Sequence, residues 1–186
     1  MSTCSQLIHT LKNGGYDPAL AALYALDGSD RRLEEARARC VRTAEAFAAR
    51  YGSDAPGAAL FSGPGRTEIG GNHTDHQHGR VLCGSVDLDM LACAAPNGLD
   101  VVRIQSEGYP ALEISLHDLS VREEENTSAA LVRGVAAKIR ALGYSLSGFD
   151  ACACSTTGAA GSLKSMNTAP PTEEPIWSIR PEGLPK

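Results

Sequence analysis

The sequence predicts an α+β fold in which an antiparallel sheet carries helices on one face, followed by an irregular proline-rich tail. Apolar residues recur at helical spacing before residue 52 and again over 127–142. Between them, short alternating runs separated by glycine-containing turns are typical of strands. The chain has 186 residues, of which 42% are hydrophobic and 21% charged, so it can bury an ordinary core.

The helices are predicted from caps and apolar spacing. Residues 1–28 form a helical preface, and a long helix then begins at Asp27, Ser29 or Asp30 and ends at Gly52. Its apolar positions are Leu33, Ala36, Cys40, Ala44, Phe47 and Ala48. A last helix runs from about Thr127 to Leu142 and stops before Gly143. Its apolar stripe comprises Leu131, Val135, Ile139 and Leu142.

The strands are predicted as an antiparallel meander with a polar loop at one end. The expected strands are Ala58–Ser62, Arg80–Cys93, Leu99–Gln105, Leu112–Leu116 and Phe149–Cys154. Asp87 and Asp89 alternate with apolar residues, as in a half-exposed strand. Asn97-Gly98 is a tight-turn signal between the second and third strands.

The segment Gly65–Gly79 carries the strongest functional signal. It places an arginine, three histidines, an aspartate and two amides in a glycine-rich stretch, and glycine lets a backbone turn sharply against a ligand. Asn72, His73 and Asp75 supply the donors and acceptors that a polyhydroxylated ligand needs. Arg66 supplies a fixed positive charge that could face a phosphate. These residue types predict a binding loop for a small polar substrate.

Bulk composition weighs against several other classes of partner. The net charge is −5, and no basic block suggests nucleic acid. No apolar run is long enough to span a bilayer, and the N-terminus lacks the pattern of a secretion signal. The six cysteines form no C-x-x-C pair, although Cys152 and Cys154 would share one face of a strand. We expect free thiols in a reducing cytoplasm.

The polar segment also resembles a known signature. In galactokinases, which belong to the GHMP group of small-molecule kinases, Gly-Arg is followed by an apolar step, Gly-Glu-His-Thr-Asp, an aromatic residue and a glycine. Here Gly65-Arg66, Gly71, His73-Thr74-Asp75 and Gly79 match. Asn72 stands where the family has glutamate, and His76 stands where it has tyrosine. The Leu131–Val135 segment is similar to a helix motif of the same family.

The resemblance implies an activity and a set of site residues. Galactokinases transfer the γ-phosphoryl group of ATP to the anomeric hydroxyl of galactose, with Mg²⁺, and have an α+β N-terminal domain. Asn72, His73, Thr74 and Asp75 correspond to substrate-binding positions. Arg66 corresponds to the arginine that stabilises charge on the transferred phosphoryl group. Ser106 matches a serine near the nucleotide, although an ordinary strand-end serine explains it equally well.

The resemblance covers about residues 20–154. We therefore divide the chain into a galactokinase-like N-terminal domain, 1–154, and a degenerate or disordered tail, 155–186. Five prolines follow residue 169, which disfavours a helix or a central strand. Gly158–Ser165 is a faint echo of the family's phosphate loop, and an aspartate of the family's catalytic type is absent. A frameshift or a fragment would explain this, and the chain alone is expected to be inactive.

Two other functions stay open at this point. His73, Asp75, His76 and His78 could ligate a metal such as zinc or nickel, although four ligands within six residues are weakly specific. The chain could also be a non-catalytic relative that binds the sugar without phosphorylating it. A metal titration separates the first of these from a sugar-binding function.

Overall fold

The computed structural model describes residues 2–26, 30–71, 79–121 and 127–155. Four helices and five strands occur in these ranges. The helices are α1 (Cys4–Lys12), α2 (Asp17–Leu23), α3 (Asp30–Tyr51) and α4 (Ser128–Ala141). The strands are β1 (Ala59–Gly70), β2 (Leu82–Pro96), β3 (Val101–Ser106), β4 (Leu112–Ser115) and β5 (Phe149–Ser155). The predicted α+β class is confirmed, and none of the described helices is long and apolar enough to cross a membrane.

Local capping chemistry sets the helix ends. Thr3 and Gln6 form a reciprocal capping box that begins α1, and the Thr127 side chain accepts from the Ala130 N–H to begin α4. Gly52 follows α3 with φ 101°, and Gly143 follows the C-cap of α4 with φ 88°. Both glycines have the left-handed backbone that favours this residue after a helix. The predicted helix ends are therefore confirmed within a residue or two, except the caps at residues 27 and 29, which lie outside the described residues.

The sheet differs from the predicted meander in its strand order, which is β1-β2-β5-β3-β4. Three pairings are antiparallel, but β3 pairs with β5 in parallel. The last strand thus lies between β2 and β3 although those two are joined by the short Asn97-Gly98 turn. Three consecutive residues of β5, Asp150, Ala151 and Cys152, are buried, which indicates a strand covered on both faces. Such a strand is most stable at a central position.

Helices cover both faces of the sheet, not one face as predicted. Helices α1, α2 and α3 pack over β2 and β5, where Phe47, Leu91, Cys93 and Cys152 belong to one buried cluster. Helix α4 packs over β3 and β4 in a second cluster whose members include Val102, Ile114, Phe149 and Ala136. Phe149 pairs with Val102, whereas Asp150 pairs with Arg103, so alternate residues of these strands face opposite clusters. The class is unchanged, but the fold has helices on both sides.

The apolar stripe predicted for α4 exists, but it faces solvent. Leu131, Val135, Ile139 and Leu142 are 37–57% exposed. The helix instead turns Ala129, Val132, Arg133 and Ala136 toward the protein, and Ala129, Val132 and Ala136 pack in the second cluster. A helix with apolar residues on two sides can bury either one, and here the smaller side chains lie against the sheet. The larger stripe forms an exposed apolar surface.

Candidate functional site

The predicted polar loop begins later than the sequence suggested. Residues Gly65–Gly70 continue strand β1, which pairs with β2, and only Gly71 starts the turn. Residues 72–78 lie outside the described residues, and β2 resumes at Leu82. The first six residues of the signature are therefore held in the sheet, at the end of β1.

Gly65 is required by an irregularity in this hairpin. Pro64 pairs with Asp89 and Arg66 pairs with Ser85, so the single residue Gly65 opposes three residues of β2. This β-bulge brings β2 close: a Cβ at position 65 would lie 3.0 Å from Val86 Cγ2 and 3.1 Å from the Leu88 carbonyl oxygen. A larger residue would push the strands apart at the point where the signature begins.

Gly71 is required at the other end of the strand. Its φ is 111°, which disfavours any side chain, and an added Cβ would lie 2.7 Å from both the Arg80 carbonyl oxygen and Val81 Cα. The two strands thus approach closely where the loop leaves and returns. The backbone at Gly71 is therefore tightly packed against Arg80 and Val81.

Arg66 lies on β1, opposite Ser85, with an exposed side chain. Among the described residues no carboxylate forms a salt bridge with it. An exposed arginine without a carboxylate partner has its five N–H donors available for an anion. The alternative considered from the sequence, a surface salt bridge, has no support in the described part of the chain.

The other predicted site residues are placed less completely. Asn72, His73, Thr74 and Asp75 lie outside the described residues, as do His76 and His78. Ser106 ends β3 and pairs with Ala153 of β5, so three strand-to-strand steps separate it from β1. At about 4.8 Å per step, Ser106 and Arg66 are on the order of 14 Å apart across the sheet alone. The described residues do not bring the two predicted side chains into contact.

Sequence reasoning missed a buried polar cluster beneath the start of the signature. Asp89, predicted on a half-exposed strand, is only 8% exposed. Its Oδ2 accepts from Ser62 Oγ at 2.6 Å and from Tyr24 Oη at 2.9 Å, and Arg39 forms an ion pair with its Oδ1. Because Asp89 pairs with Pro64, this cluster ties α2 and α3 to the hairpin directly before Gly65. Its only sequence signal was that Asp89 is in phase with Leu91 and Cys93, on the side of the strand that the structure buries.

The cluster keeps Asp89 ionised despite its burial. Burial by itself raises the pKa of a carboxyl group, but hydrogen bonds from Ser62, Arg39 and Tyr24 outweigh it and lower the pKa of Asp89. For Tyr24, burial and then the hydrogen bond to Asp89 act in the same direction and raise its pKa to about 12. The ionised carboxylate therefore holds the phenol in its neutral form.

Because the pKa of Tyr24 is raised in the folded protein, its contribution to the free energy of unfolding should depend on pH in the alkaline range. The folded state holds this proton more tightly than the unfolded chain, whose tyrosines titrate near about 10. The contribution is fully present below that value and is lost as the pH rises through about 12. We expect the Tyr24→Phe variant to lose less stability than the parent between those two values. Urea unfolding across this range checks the slope, with Tyr144→Phe as the exposed control; equal slopes would contradict the assignment.

All six cysteines are free thiols. Cys4, Cys40, Cys93 and Cys152 are buried, and burial together with neighbouring thiols raises the pKa of Cys93 to about 12. Such thiols pack as small apolar groups and are poor nucleophiles. Within the described ranges, no three His, Cys, Asp or Glu side chains form a group that could hold a metal ion.

Comparison with known proteins agrees with this geometry. The sequence profile of the galactokinase galactose-binding signature matches residues 45–96, which run from the end of α3 through β1 and β2. Among solved structures, the chain is similar to that described as "Crystal Structure of Lactococcus lactis Galactokinase Complexed with Galactose". The TM-score is 0.54 at 25% sequence identity, and the match covers 63% of this chain and 30% of that one.

The chain therefore carries a galactokinase-type galactose-binding signature on an α+β fold. Its fold is similar to part of a galactokinase. The resemblance predicted from Gly65–Gly79 is thus confirmed. The matched part amounts to less than a third of the galactokinase from Lactococcus lactis.

Proposed function

We propose that this chain carries the galactose-binding half of a galactokinase site. The family reaction is the ATP-dependent phosphorylation of galactose at its anomeric hydroxyl. The observation that supports this most directly is the match of the galactose-binding signature to residues 45–96, which include both strands of the β1–β2 hairpin. The galactose in the related crystal structure supports the same class of ligand.

In this proposal the loop residues bind the sugar hydroxyls. The Asp75 carboxylate accepts hydrogen bonds from two hydroxyls, and charge-assisted bonds of this kind are stronger than neutral ones. Asn72 contributes an amide where the family has a carboxylate, so it can both donate and accept. His73 and Thr74 complete the polar surface. Arg66, exposed on β1 beside this loop, is the group that would stabilise negative charge on a transferred phosphoryl group.

The described residues do not by themselves fit ATP with Mg²⁺. Of the nucleotide-site residues that the family implies, the described residues contain Ser106. Among the described residues, no group of carboxylates could hold a metal ion. The segment Gly158–Ser165 lies outside them and lacks the Gly-Leu-Ser-Ser-Ser run of the family's phosphate loop. Positioning of the nucleotide dominates phosphoryl transfer. We therefore assign sugar binding to this chain and no phosphoryl transfer.

Galactose titration of the purified protein tests the proposal. We expect saturable binding that the Asp75→Ala variant weakens about 10- to 100-fold, because a hydrogen bond to a charged group contributes about 1.5–3 kcal/mol. Asp54→Ala, which removes an exposed carboxylate outside the Gly65–Gly79 segment, should bind like the parent. Calorimetry or ligand-observed nuclear magnetic resonance measures both. Equal binding by the parent and Asp75→Ala would refute the assignment of the loop.

The same preparation separates the alternatives. With ATP and Mg²⁺ present, we expect no galactose phosphorylation above a blank, and robust turnover would contradict the view that this chain lacks a phosphate site. Galactose binding without turnover is also the behaviour of a non-catalytic relative. Stoichiometric zinc binding without galactose binding would instead identify the histidines and aspartate of the signature as a metal site.

A further inference from the structure

A shallow, open cavity lies where the last turn of α3 meets the edge of the sheet. It has a volume of about 320 Å³ and is lined by Arg50, Tyr51, Arg103, Ala111, Leu112 and Glu113. Arg50 and Tyr51 come from α3, Arg103 from β3, and the other three from β4 and the residue before it. This volume is at the lower end of the range for small-molecule sites, so the cavity suits a compact ligand.

The cavity is separate from the signature hairpin. Arg103 pairs with Asp150 of β5, and Asp150 pairs with Ala95 near the end of β2. Arg66, in contrast, pairs with Ser85 near the beginning of β2. Seven residues of β1 separate Arg66 from Ala59, which pairs with Ala94 beside Ala95, so the two levels are roughly 23 Å apart along the strand. A ligand in this cavity would not touch Arg66.

One arginine of the cavity is held rigidly. The Nε and Nη2 atoms of Arg103 donate to the two carboxylate oxygens of Asp150, both at 2.7 Å, and Asn97 Nδ2 donates to the same carboxylate at 2.8 Å. The Arg103 guanidinium also lies 5.4 Å from the centre of the Tyr51 ring. A bidentate pair of this kind neutralises the charge but fixes the position of the guanidinium.

The other arginine keeps its charge uncompensated. Arg50 lies 5.7 Å from the centre of the same Tyr51 ring, and no carboxylate of the described residues forms a salt bridge with it. Arg50 also shares a side-chain hydrogen bond with Tyr51, and its other N–H donors meet no carboxylate among the described residues. Leu112 and Ala111 supply apolar wall beside it. The cavity thus combines one available cation with a small apolar surface.

We propose that this cavity binds a small organic anion, which places one phosphate or carboxylate group on Arg50 and an edge of its apolar body against Leu112 and Ala111. Glu113 at the rim disfavours a second negative group and can accept a hydrogen bond from a ligand hydroxyl. This site is independent of the galactose site. A purely structural role for Arg50 is that of a cation in the last turn of α3, where it stabilises the helix dipole.

Titration of the full chain with phenyl phosphate tests this proposal, with benzyl alcohol as the neutral probe. We expect saturable binding of phenyl phosphate that weakens at higher salt, and much weaker binding of benzyl alcohol. Arg50→Gln should weaken phenyl phosphate binding about tenfold, as loss of a charged hydrogen-bond partner does. Glu113→Gln should tighten it by about two- to fivefold, because it removes a like charge at the rim. Arg42→Gln, an exposed change elsewhere on α3, should leave binding unchanged.

The outcomes separate a ligand site from a helix-end cation. A dipole role predicts that Arg50→Gln lowers the unfolding midpoint slightly and that Glu113→Gln changes no binding. Equal phenyl phosphate affinity in the parent and Arg50→Gln, equal affinity for benzyl alcohol, or no binding at about 10 mM would each overturn the proposal. Because Arg50 is exposed, its glutamine variant should remain folded, and circular dichroism checks this directly.

Discussion

Replacing Asp89 by alanine is expected to lower the free energy of unfolding by about 3–5 kcal/mol. The carboxylate side chain is 7% exposed and its Arg39 partner 17% exposed. Removing it leaves the Arg39 charge inside the protein without its counter-ion, and Arg39 Nε already has no hydrogen-bond partner among the described residues. The hydroxyls of Ser62 and Tyr24 lose their acceptor in the same change. Unpaired buried groups, not the lost attraction alone, make the effect large.

Asp17→Ala is the matched control for this variant. Asp17 also pairs with an arginine of α3, since Arg37 Nε donates to its Oδ1 at 2.8 Å, but both side chains are about a quarter exposed. Water can solvate the arginine that remains, so we expect a loss of about 1 kcal/mol or less. Urea unfolding followed by circular dichroism measures both variants. Equal losses would show that Asp89 behaves as a surface pair.

The Asp89→Ala variant should also change how the free energy of unfolding depends on pH in the acidic range. The pKa of Asp89 is lowered in the folded state, so its contribution is present above the unfolded value near about 4 and is lost as the pH falls through the folded value. We therefore expect the difference between the parent and Asp89→Ala to shrink below that pH. A difference that stays constant down to strongly acidic pH would argue against an ionised Asp89.

Phe47→Ala is expected to cost about 3–5 kcal/mol of unfolding free energy. The Phe47 side chain is fully buried, on the face of α3 that packs over β2 and β5, and its ring lies 5.3 Å from that of Tyr51. Truncation removes the transfer free energy of the ring and leaves a cavity in a close-packed core. The surrounding backbone belongs to a helix and a sheet, which cannot collapse far to fill it.

Phe61→Ala makes the same chemical change at a half-exposed position of β1. Its ring is already 50% in solvent, so we expect a loss of about 1 kcal/mol or less, mostly from strand preference. Both variants make the same Phe→Ala change, so the difference between their urea midpoints measures the effect of burial. If Phe47→Ala were no worse than Phe61→Ala, α3 would not pack on the sheet as described.

The elements that depend on neighbouring residues could be predicted from the sequence. Thr127, Gly52 and Gly143 mark helix ends because a cap needs only the backbone groups within one turn. The signature was found in the same way, since its glycines and polar groups are contiguous along the chain. The bulge that requires Gly65 could not be predicted, because it depends on which residues of β2 lie opposite.

Residues from distant segments explain the predictions that were wrong. Asp89 has the alternation of a half-exposed strand, and only the arrival of Arg39 and Tyr24 from two helices makes its burial tolerable. The α4 stripe of Leu131, Val135 and Ile139 has helical periodicity, but periodicity does not say which of two apolar sides meets the sheet.

By itself the sequence determined the α+β class, the position of most elements, and the galactokinase-like signature with Arg66 and Asp75. The tertiary structure alone decided that β5 lies between β2 and β3, that helices cover both faces, and that Arg50 and Arg103 meet at one cavity. The physical reason is range. Caps, turns and motifs arise from interactions over a few residues, whereas strand order and side-chain burial depend on free energy gained between segments far apart in the chain.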